Sequence, residues 1–250
     1  MDAYGLRSSD LTVDYLALCN RMLLECAISG GPMTSVVSQT GEFQRVTTWI
    51  NQSYNELQTE HFNWDFLRSS QLEGGGVSFT TIAGQAVYPL GTGAGTVGVA
   101  AANFGSWVKQ SFRDQTTTRG VLDQYMLEWI SFDAWRDAYS FGAQQTVTTR
   151  PVAIAFSPEN AICVGPWPTS AYTLTGDYFT APLVLSTNTD VPSNIQVQWQ
   201  MAIVYQAMIY YGMYESAPDV VARGERYYRK LTRQFTNLRT PMISAGRTLA

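Results

Sequence analysis

Apolar residues recur at helical spacing in two segments near the N-terminus. The first should be capped by Ser9 or Asp10 and should end before Gly30, with a stripe at Leu11, Tyr15, Leu18, Met22 and Cys26. The second is FQRVTTWINQSYNELQ, with a stripe at Phe43, Val46, Ile50, Tyr54 and Leu57. Because each stripe covers one face only, each predicted helix should pack one side against the rest of the chain.

A third helical segment, Val191–Tyr214, is apolar on nearly every side and contains no charged residue. We call it the pillar. Ser193, followed three positions later by Gln196, forms a capping-box pattern at its start. Such a helix must be covered on most sides, either by its own chain or by a neighbouring copy. Its four glutamines make it too polar for a membrane span.

Short apolar runs between these helices predict β-strands. VSFTTIAGQAVYPL indicates a hairpin that turns at Ala83–Gly84, and Trp107–Arg113 and Val121–Trp129 indicate two more strands. RPVAIAF, AICVGPWP and AYTLTGDYFTAP follow at short intervals, which favours an antiparallel meander. We expect a short helix at Ser131–Tyr139 and a loop at Gly91–Gly105.

The last predicted helix, Asp219–Leu238, has two different faces. The apolar face carries Val220, Tyr227, Leu231, Phe235 and Leu238. The basic face carries Arg223, Arg226, Arg229, Lys230 and Arg233. Thr240–Ala250 shows no periodicity and is typical of an extended tail.

These elements predict an α+β fold in which an antiparallel β-domain, either a sandwich or a barrel-like meander, is inserted into a helical bundle. The predicted boundaries are 1–68 with 191–238 for the bundle, 69–190 for the β-domain and 239–250 for the tail. We expect Trp49, Trp64, Trp199, Ile203 and Tyr210 to belong to the structural core.

Composition adds a prediction about contacts. The 250 residues are only 14% charged but include 14 Tyr, 11 Phe and 7 Trp, which is typical of a surface that meets other protein. An aromatic-rich core explains the same numbers equally well. Three cysteines without a CxxC pair favour a reduced, intracellular compartment, and the N-terminus has no apolar signal segment.

Charge is distributed unevenly along the chain. The net formal charge is −4. From Asp219 onward, seven Arg or Lys residues against two carboxylates give +5, so the preceding residues carry −9. A basic arm on an acidic body can bind an acidic protein surface, including another copy, and we favour this interpretation over nucleic-acid binding.

No catalytic constellation is evident. His61 is the only histidine, which argues against His-dependent triads and multi-histidine metal sites. GAGTVG at Gly93–Gly98, with Asp114 as a ribose partner, matches a nucleotide fingerprint formally but lacks a βαβ context. The carboxylate pairs Asp133/Asp137 and Glu56/Glu60 are better explained as solvated helix faces, the first with Arg136 as an ion-pair partner. We predict no enzymatic activity, no cofactor and no metal.

The order of several phrases resembles the head-to-tail adaptor (connector) proteins of tailed bacteriophages. The resemblance runs from about Phe43 to Leu238. The phrases are FQRVTTWINQSYNELQTEHFNWDFLR, GVSFTTIAGQAVYPL, MLEWISFDAWRDAY, RPVAIAF with AICVGPWP, TLTGDYFTAPLVLSTNTDVP, and the pillar with the helix after it. The Gly91–Gly105 loop is longer than this resemblance leads us to expect.

The resemblance implies a homo-oligomeric, dodecameric ring in the virion neck, made in the host cytoplasm. Its implied partners are the portal protein, a downstream tail or neck protein and passing double-stranded DNA, which it does not bind sequence-specifically; no membrane is involved. Contacts with the portal or a neighbouring subunit would use the basic face and Arg239, Pro241, Met242, Ile243 and Arg247.

Two alternatives remain open. The chain could be a tail terminator or another neck component. It could instead be a module whose β-domain binds a glycan or another small ligand, with aromatic rings such as Trp107 or Trp167 lining a groove.

Overall fold

The computed structural model describes residues 13–61 and 64–239, so the predicted cap at Ser9 or Asp10 and the first stripe position, Leu11, lie outside it. The fold is α+β, as predicted. The chain forms two compact units, one from the segments up to Phe66 and from Pro182 onward, and the other from Leu67–Ala181. The first is helical, and the second contains all the strands.

The described residues contain five α-helices: α1 (Tyr15–Glu25), α2 (Gly41–Thr59), α3 (Phe132–Tyr139), α4 (Val197–Tyr214) and α5 (Pro218–Arg239). They also contain thirteen short strands: β1 (Arg68–Ser69), β2 (Val77–Thr80), β3 (Val87–Tyr88), β4 (Phe104–Trp107), β5 (Arg113–Thr116), β6 (Tyr125–Met126), β7 (Glu128–Trp129), β8 (Thr148–Thr149), β9 (Ala153–Phe156), β10 (Ile162–Gly165), β11 (Trp167–Pro168), β12 (Tyr172–Gly176) and β13 (Tyr178–Thr180).

The strands of the β unit form four small sheets: β1–β13–β4, β3–β10–β9–β7, β11–β8 and β2–β12–β5–β6. Pairing is antiparallel except for β7 with β9 and β8 with β11. None of these sheets closes into a barrel within the described residues. A core that includes Tyr88, Phe112, Ile154 and Leu174 lies among them.

Two predictions for the β strands were wrong. The segment Val77–Tyr88 is not a hairpin, because β2 pairs with β12 and β3 pairs with β10. The loop between β2 and β3 is instead held by the side chain of Tyr88. Its hydroxyl accepts a hydrogen bond from the Ile82 N–H and donates one to the Gln85 carbonyl. The predicted meander stops after the β9–β10 hairpin, since the ladder ends at Gly165 before Pro166, and β12 joins β2 and β5.

The two predicted strands in the middle of the chain are also shorter and shifted. A turn closed by Ser111 on the Val108 carbonyl separates β4 from β5, so Trp107–Arg113 is not one strand. The predicted strand Val121–Trp129 begins within a 3-10 turn, Gly120–Asp123, and the short strands β6 and β7 follow that turn. Helix α3 was predicted correctly, and Ser131 caps it by accepting from the Ala134 N–H.

In the helical unit, α2 and α5 lie where the sequence predicts them. Helix α1 begins at Tyr15 with Asp14 as its cap, so the predicted cap at Ser9 or Asp10 is wrong. The capping box at Ser193 is wrong, because α4 begins at Val197 and its cap residue Gln196 makes no side-chain cap bond. Residues 191–196 instead form turns, and the Gln200 amide donates to the Pro192 and Ile195 carbonyls and ties these turns to the helix.

The pillar helix α4 is covered by its own chain. Helices α1, α2 and α5 all pack on it, and Trp199 and Ile203 on one side and Met208 on the opposite side are all buried. Its contact with α5 is close, because a Cβ added at Gly224 would lie 2.9 Å from the Tyr205 carbonyl oxygen. Of the two ways to cover the pillar, the structure uses the first, so its apolar surface alone does not require a second copy.

Side-chain amides on α2 organise the segment that leads into α4. The Asn51 side chain donates to the Leu185 carbonyl at 2.8 Å and accepts from the Leu185 N–H at 3.0 Å. Gln58, seven residues later on the same face, does the same for Leu183 at 2.9 and 2.8 Å. These amides replace the hydrogen bonds that a neighbouring strand would supply, because residues 181–186 have no regular secondary structure. These contacts lie within the helical unit, which resumes at Pro182.

An ion cluster holds the β unit together. Arg150 binds the fully buried Asp114 at 2.7 Å and also Asp123 at 2.8 Å, and its guanidinium lies over the Tyr125 ring at 4.3 Å. Burial raises the pKa of Asp114 even though Arg150 opposes this effect. Asp114 is therefore a structural residue, and the hypothesis that it contacts a ribose is wrong.

We predict that Arg150→Ala lowers the free energy of unfolding by about 3 kcal/mol, because it leaves Asp114 buried without its cation. Urea unfolding followed by tryptophan fluorescence measures the loss. Arg136→Ala is the control, since its pairs with Asp133 and Asp137 are exposed and should contribute less than about 0.5 kcal/mol. Equal losses in the two variants would contradict this assignment.

We also predict that Asn51→Ala speeds hydrogen exchange at the Leu185 amide about fivefold, since one hydrogen bond contributes roughly 1 kcal/mol. Exchange of the backbone amides measured by NMR reports this directly. Gln52→Ala on the exposed side of α2 is the matched control and should leave Leu185 unchanged. If Leu185 exchanged equally fast in all three proteins, the amide contact would not be holding the segment.

Candidate protein-docking surface

Helix α5 is anchored through its apolar side. Phe235 is buried, and its ring centroid lies 4.8 Å from that of Trp64 and 6.0 Å from that of Trp199. Gly224 lies against α4. Thr232, one turn before Phe235, is also buried. Because this side is fixed on α4, the orientation of the opposite side is fixed as well.

The opposite side carries the predicted basic residues, which we call the cationic face: Arg223, Arg226, Arg229, Lys230 and Arg233. All five side chains are exposed. Arg229 pairs with Glu225 at 2.8 Å, and Arg223 donates to the Glu25 carbonyl. Arg226, Lys230 and Arg233 make no ion pair with any residue in the described ranges 13–61 and 64–239. Three uncompensated cations on one helix face leave a positive potential over this surface.

Four members of the cationic face line a shallow open depression of about 750 Å³. Glu60, at the end of α2, contributes a carboxylate to its lining, and the Tyr228 hydroxyl donates to that carboxylate at 3.4 Å. Burial, with Glu60 nearby, raises the pKa of Tyr228, so the phenol stays neutral. A shallow, polar and positively charged surface fits an acidic protein surface better than a small substrate that must be enclosed.

The structure separates the two members of the predicted Glu56/Glu60 pair. Glu56 accepts hydrogen bonds from Gln52, Gln206 and Tyr210 within the helical unit, whereas Glu60 lies beside the cationic face. The sequence alone does not connect Glu60 with this face, because α2 and α5 are distant along the chain. Its position at the end of an amphipathic helix was the only signal.

The other predicted contact residues lie at or beyond the end of the described chain. Arg239 ends α5, but its side chain is not described, and Pro241, Met242, Ile243 and Arg247 lie outside the described residues. Of the expected core residues, Trp64, Trp199 and Ile203 are buried, while Trp49 and Tyr210 are half-buried. Trp49 packs against Tyr211 and Tyr214 at centroid distances of 6.2 and 5.8 Å.

The structure shows the surroundings of His61, of the GAGTVG segment and of the possible metal ligands. The His61 ring lies edge-on to Trp64 at 4.7 Å. GAGTVG forms a loop closed by a bridge between Gly91 and Val99, and a 3-10 turn at Ala101–Asn103 follows where a nucleotide site would need a helix. No group of His, Cys, Asp or Glu in the described residues has the arrangement to hold a metal ion.

The aromatic residues proposed for a glycan groove are engaged in packing. Trp107 is buried in the β core and donates to the Asn160 carbonyl at 2.9 Å, so it does not line an open groove. Trp167 is half-buried and donates to the Tyr139 carbonyl at 3.0 Å. A glycan site at these two positions is therefore not favoured.

The three cysteines do not form disulfides with one another. Cys19, Cys26 and Cys163 are unpaired and buried, and burial raises the pKa of each thiol to about 12.

Among the helices within residues 13–61 and 64–239, none combines the length and the hydropathy that crossing a bilayer requires.

A comparison with models of protein families gives a match over most of the chain. The model of the SU10 adaptor protein family matches residues 14–249, which is nearly the whole chain. A search of curated proteins found no match.

Proposed function

The chain belongs to the SU10 adaptor protein family, and from this premise we propose that it forms a ring that joins the portal to the tail of a bacteriophage. Membership makes the protein a structural adaptor of a phage virion. The position in the neck, the ring and its dodecameric state belong to the proposal. So do the downstream tail or neck protein that the ring would bind and the DNA that would pass through it.

The cationic face of α5 supports a contact with an acidic protein surface. Its cations are exposed, three of them have no ion-pair partner in the described part of the chain, and the helix is fixed on α4 through Gly224 and Phe235. In this proposal the partner is the portal or a neighbouring subunit. In the same proposal the segment from Arg239 to Ala250, of which residues 240–250 lie beyond the described chain, extends this contact.

The charge distribution also supports a conduit. Residues before Asp219 carry a net charge of −9, and a wall of that sign repels the phosphates of a passing duplex and does not trap it. Repeating a weak contact around a ring compensates for low affinity at each single site. We propose assembly as the whole of the mechanism, with no enzymatic step and no cofactor.

A tail terminator, or another component of the neck, would have a different binding partner from the adaptor that we propose. An adaptor binds the portal directly, whereas a terminator needs the tail tube. The unpaired cations favour the adaptor role only if the portal surface is acidic, so the first experiment addresses that contact.

We predict that the triple variant Arg226→Glu, Lys230→Glu, Arg233→Glu loses portal binding, because it reverses the charge of the contact without touching the side of α5 that packs on α4. Binding to purified portal is measured by co-sedimentation, and rings stacked on the portal are counted in negative-stain images. Affinity of the unmodified chain should also fall as the salt concentration rises.

The matched control is Arg226→Lys with Arg233→Lys, which keeps every positive charge and should keep binding. Circular dichroism of both variants should equal that of the unmodified chain, since the substituted side chains are exposed. Undiminished binding of the triple Glu variant would contradict the docking assignment. A chain that stays monomeric and ignores the portal would contradict the adaptor proposal as a whole.

A further inference from the structure

The β unit contains an apolar groove that the proposed function does not use. Its volume is about 620 Å³, and it lies between α3 and the β3–β10 edge of one sheet. Trp135, Ala161 and Cys163 form a buried floor, while Val87 and Phe141 on its sides are 42% and 58% exposed. Exposed aromatic and aliphatic side chains beside a buried apolar floor are typical of a surface that another molecule covers.

The same unit presents an unusual apolar projection on a different sheet. Val121 and Leu122, in the turn between β5 and β6, are 76% and 96% exposed. A single exposed leucine has no special meaning, but two consecutive aliphatic residues at the tip of a turn form a small knob. We call Val121 and Leu122 the apolar knob.

Hydrogen bonds from Arg150 hold the apolar knob in place. Asp123, the next residue, receives two hydrogen bonds from Arg150, one on its carboxylate at 2.8 Å and one on its backbone carbonyl at 2.7 Å. Arg150 is itself fixed by the buried Asp114. A projection that is already ordered loses little conformational entropy on binding, which makes it suited to insertion into a partner.

Charges next to the knob and the groove are complementary. Arg119, three residues before Leu122, is exposed and makes no ion pair within residues 13–61 and 64–239. Glu159, which lines the groove, is likewise exposed and makes no ion pair within those residues. Arg136, which also lines the groove, is already shared by Asp133 and Asp137. The rim therefore has surplus negative charge, and the knob has a positive charge at its side.

We propose that the groove of one copy receives the apolar knob of a second copy, with Arg119 of the knob facing Glu159 of the groove. One occupant is favoured because a single chain carries both complementary parts, on separate sheets of the same unit. A contact between two different patches is heterologous, and it closes into a ring when the rotation from one copy to the next divides a full turn. This inference deepens the proposed ring and rests on it.

Disulfide or maleimide cross-linking between two singly substituted full-length chains tests the contact. Leu122→Cys mixed with Phe141→Cys should give a cross-linked dimer on a non-reducing gel. The three native cysteines are buried and should not react. Leu72→Cys is the matched control, because Leu72 is a 97% exposed leucine in another loop of the same unit, and with Phe141→Cys it should give little product.

Charge exchange provides a second, independent test. Arg119→Glu and Glu159→Arg should each weaken self-association about tenfold, measured by sedimentation velocity, and the double variant should restore most of it. A merely structural role of either residue would not produce such a rescue. Equal cross-linking yields for Leu122→Cys and Leu72→Cys, or no rescue by the double variant, would overturn the proposed contact.

The two proposals can fail separately. If negative-stain images show rings, alone or on the portal, while the cross-link and the rescue are absent, the ring stands and the knob-and-groove contact is wrong. If no ring forms under either condition, the proposed function fails, and the contact fails as well when the cross-link and the rescue are also absent.

Discussion

The structure depends on burying one uncharged helix that is apolar on nearly every side. No arrangement that leaves α4 on the surface is favourable, because each exposed apolar side chain would forgo its transfer out of water. The chain solves this with its own helices, and the closest approach is made by α5, which needs the glycines Gly212 and Gly224 where the two helices meet. Once α5 is fixed in this way, its cationic face has to point away from the pillar.

A second constraint acts on the chain just before the pillar. The segment after Ala181 has no strand partner, yet its backbone groups require hydrogen bonds. Asn51 and Gln58 supply them from α2, and Asn194 bridges Gln58 and Tyr54. The polar residues on the inner side of α2 are therefore structural. Arg150 has a similar structural role in the β unit, because it links a buried carboxylate to the turn that carries the apolar knob.

Sequence periodicity predicted helices α2, α3 and α5 and the α+β class, because helical hydrogen bonds are local and the stripe identifies the buried face. It failed for the strands, since alternation shows which face of a strand is buried but not which strand it pairs with: β2 pairs with β12, far along the chain. The cationic face could be predicted from one helix alone. Glu60 beside it, and the groove formed by α3 with β3 and β10, could not, because distant segments meet there.

We propose that packing α5 on the pillar directs the cationic face toward a protein partner. A cryo-electron microscopy map of the full chain bound to purified portal tests it most directly. We expect Arg226, Lys230 and Arg233 to lie against carboxylates of the portal or of a neighbouring subunit. A map in which these three side chains face solvent throughout the assembled complex, or contact only DNA, would contradict it.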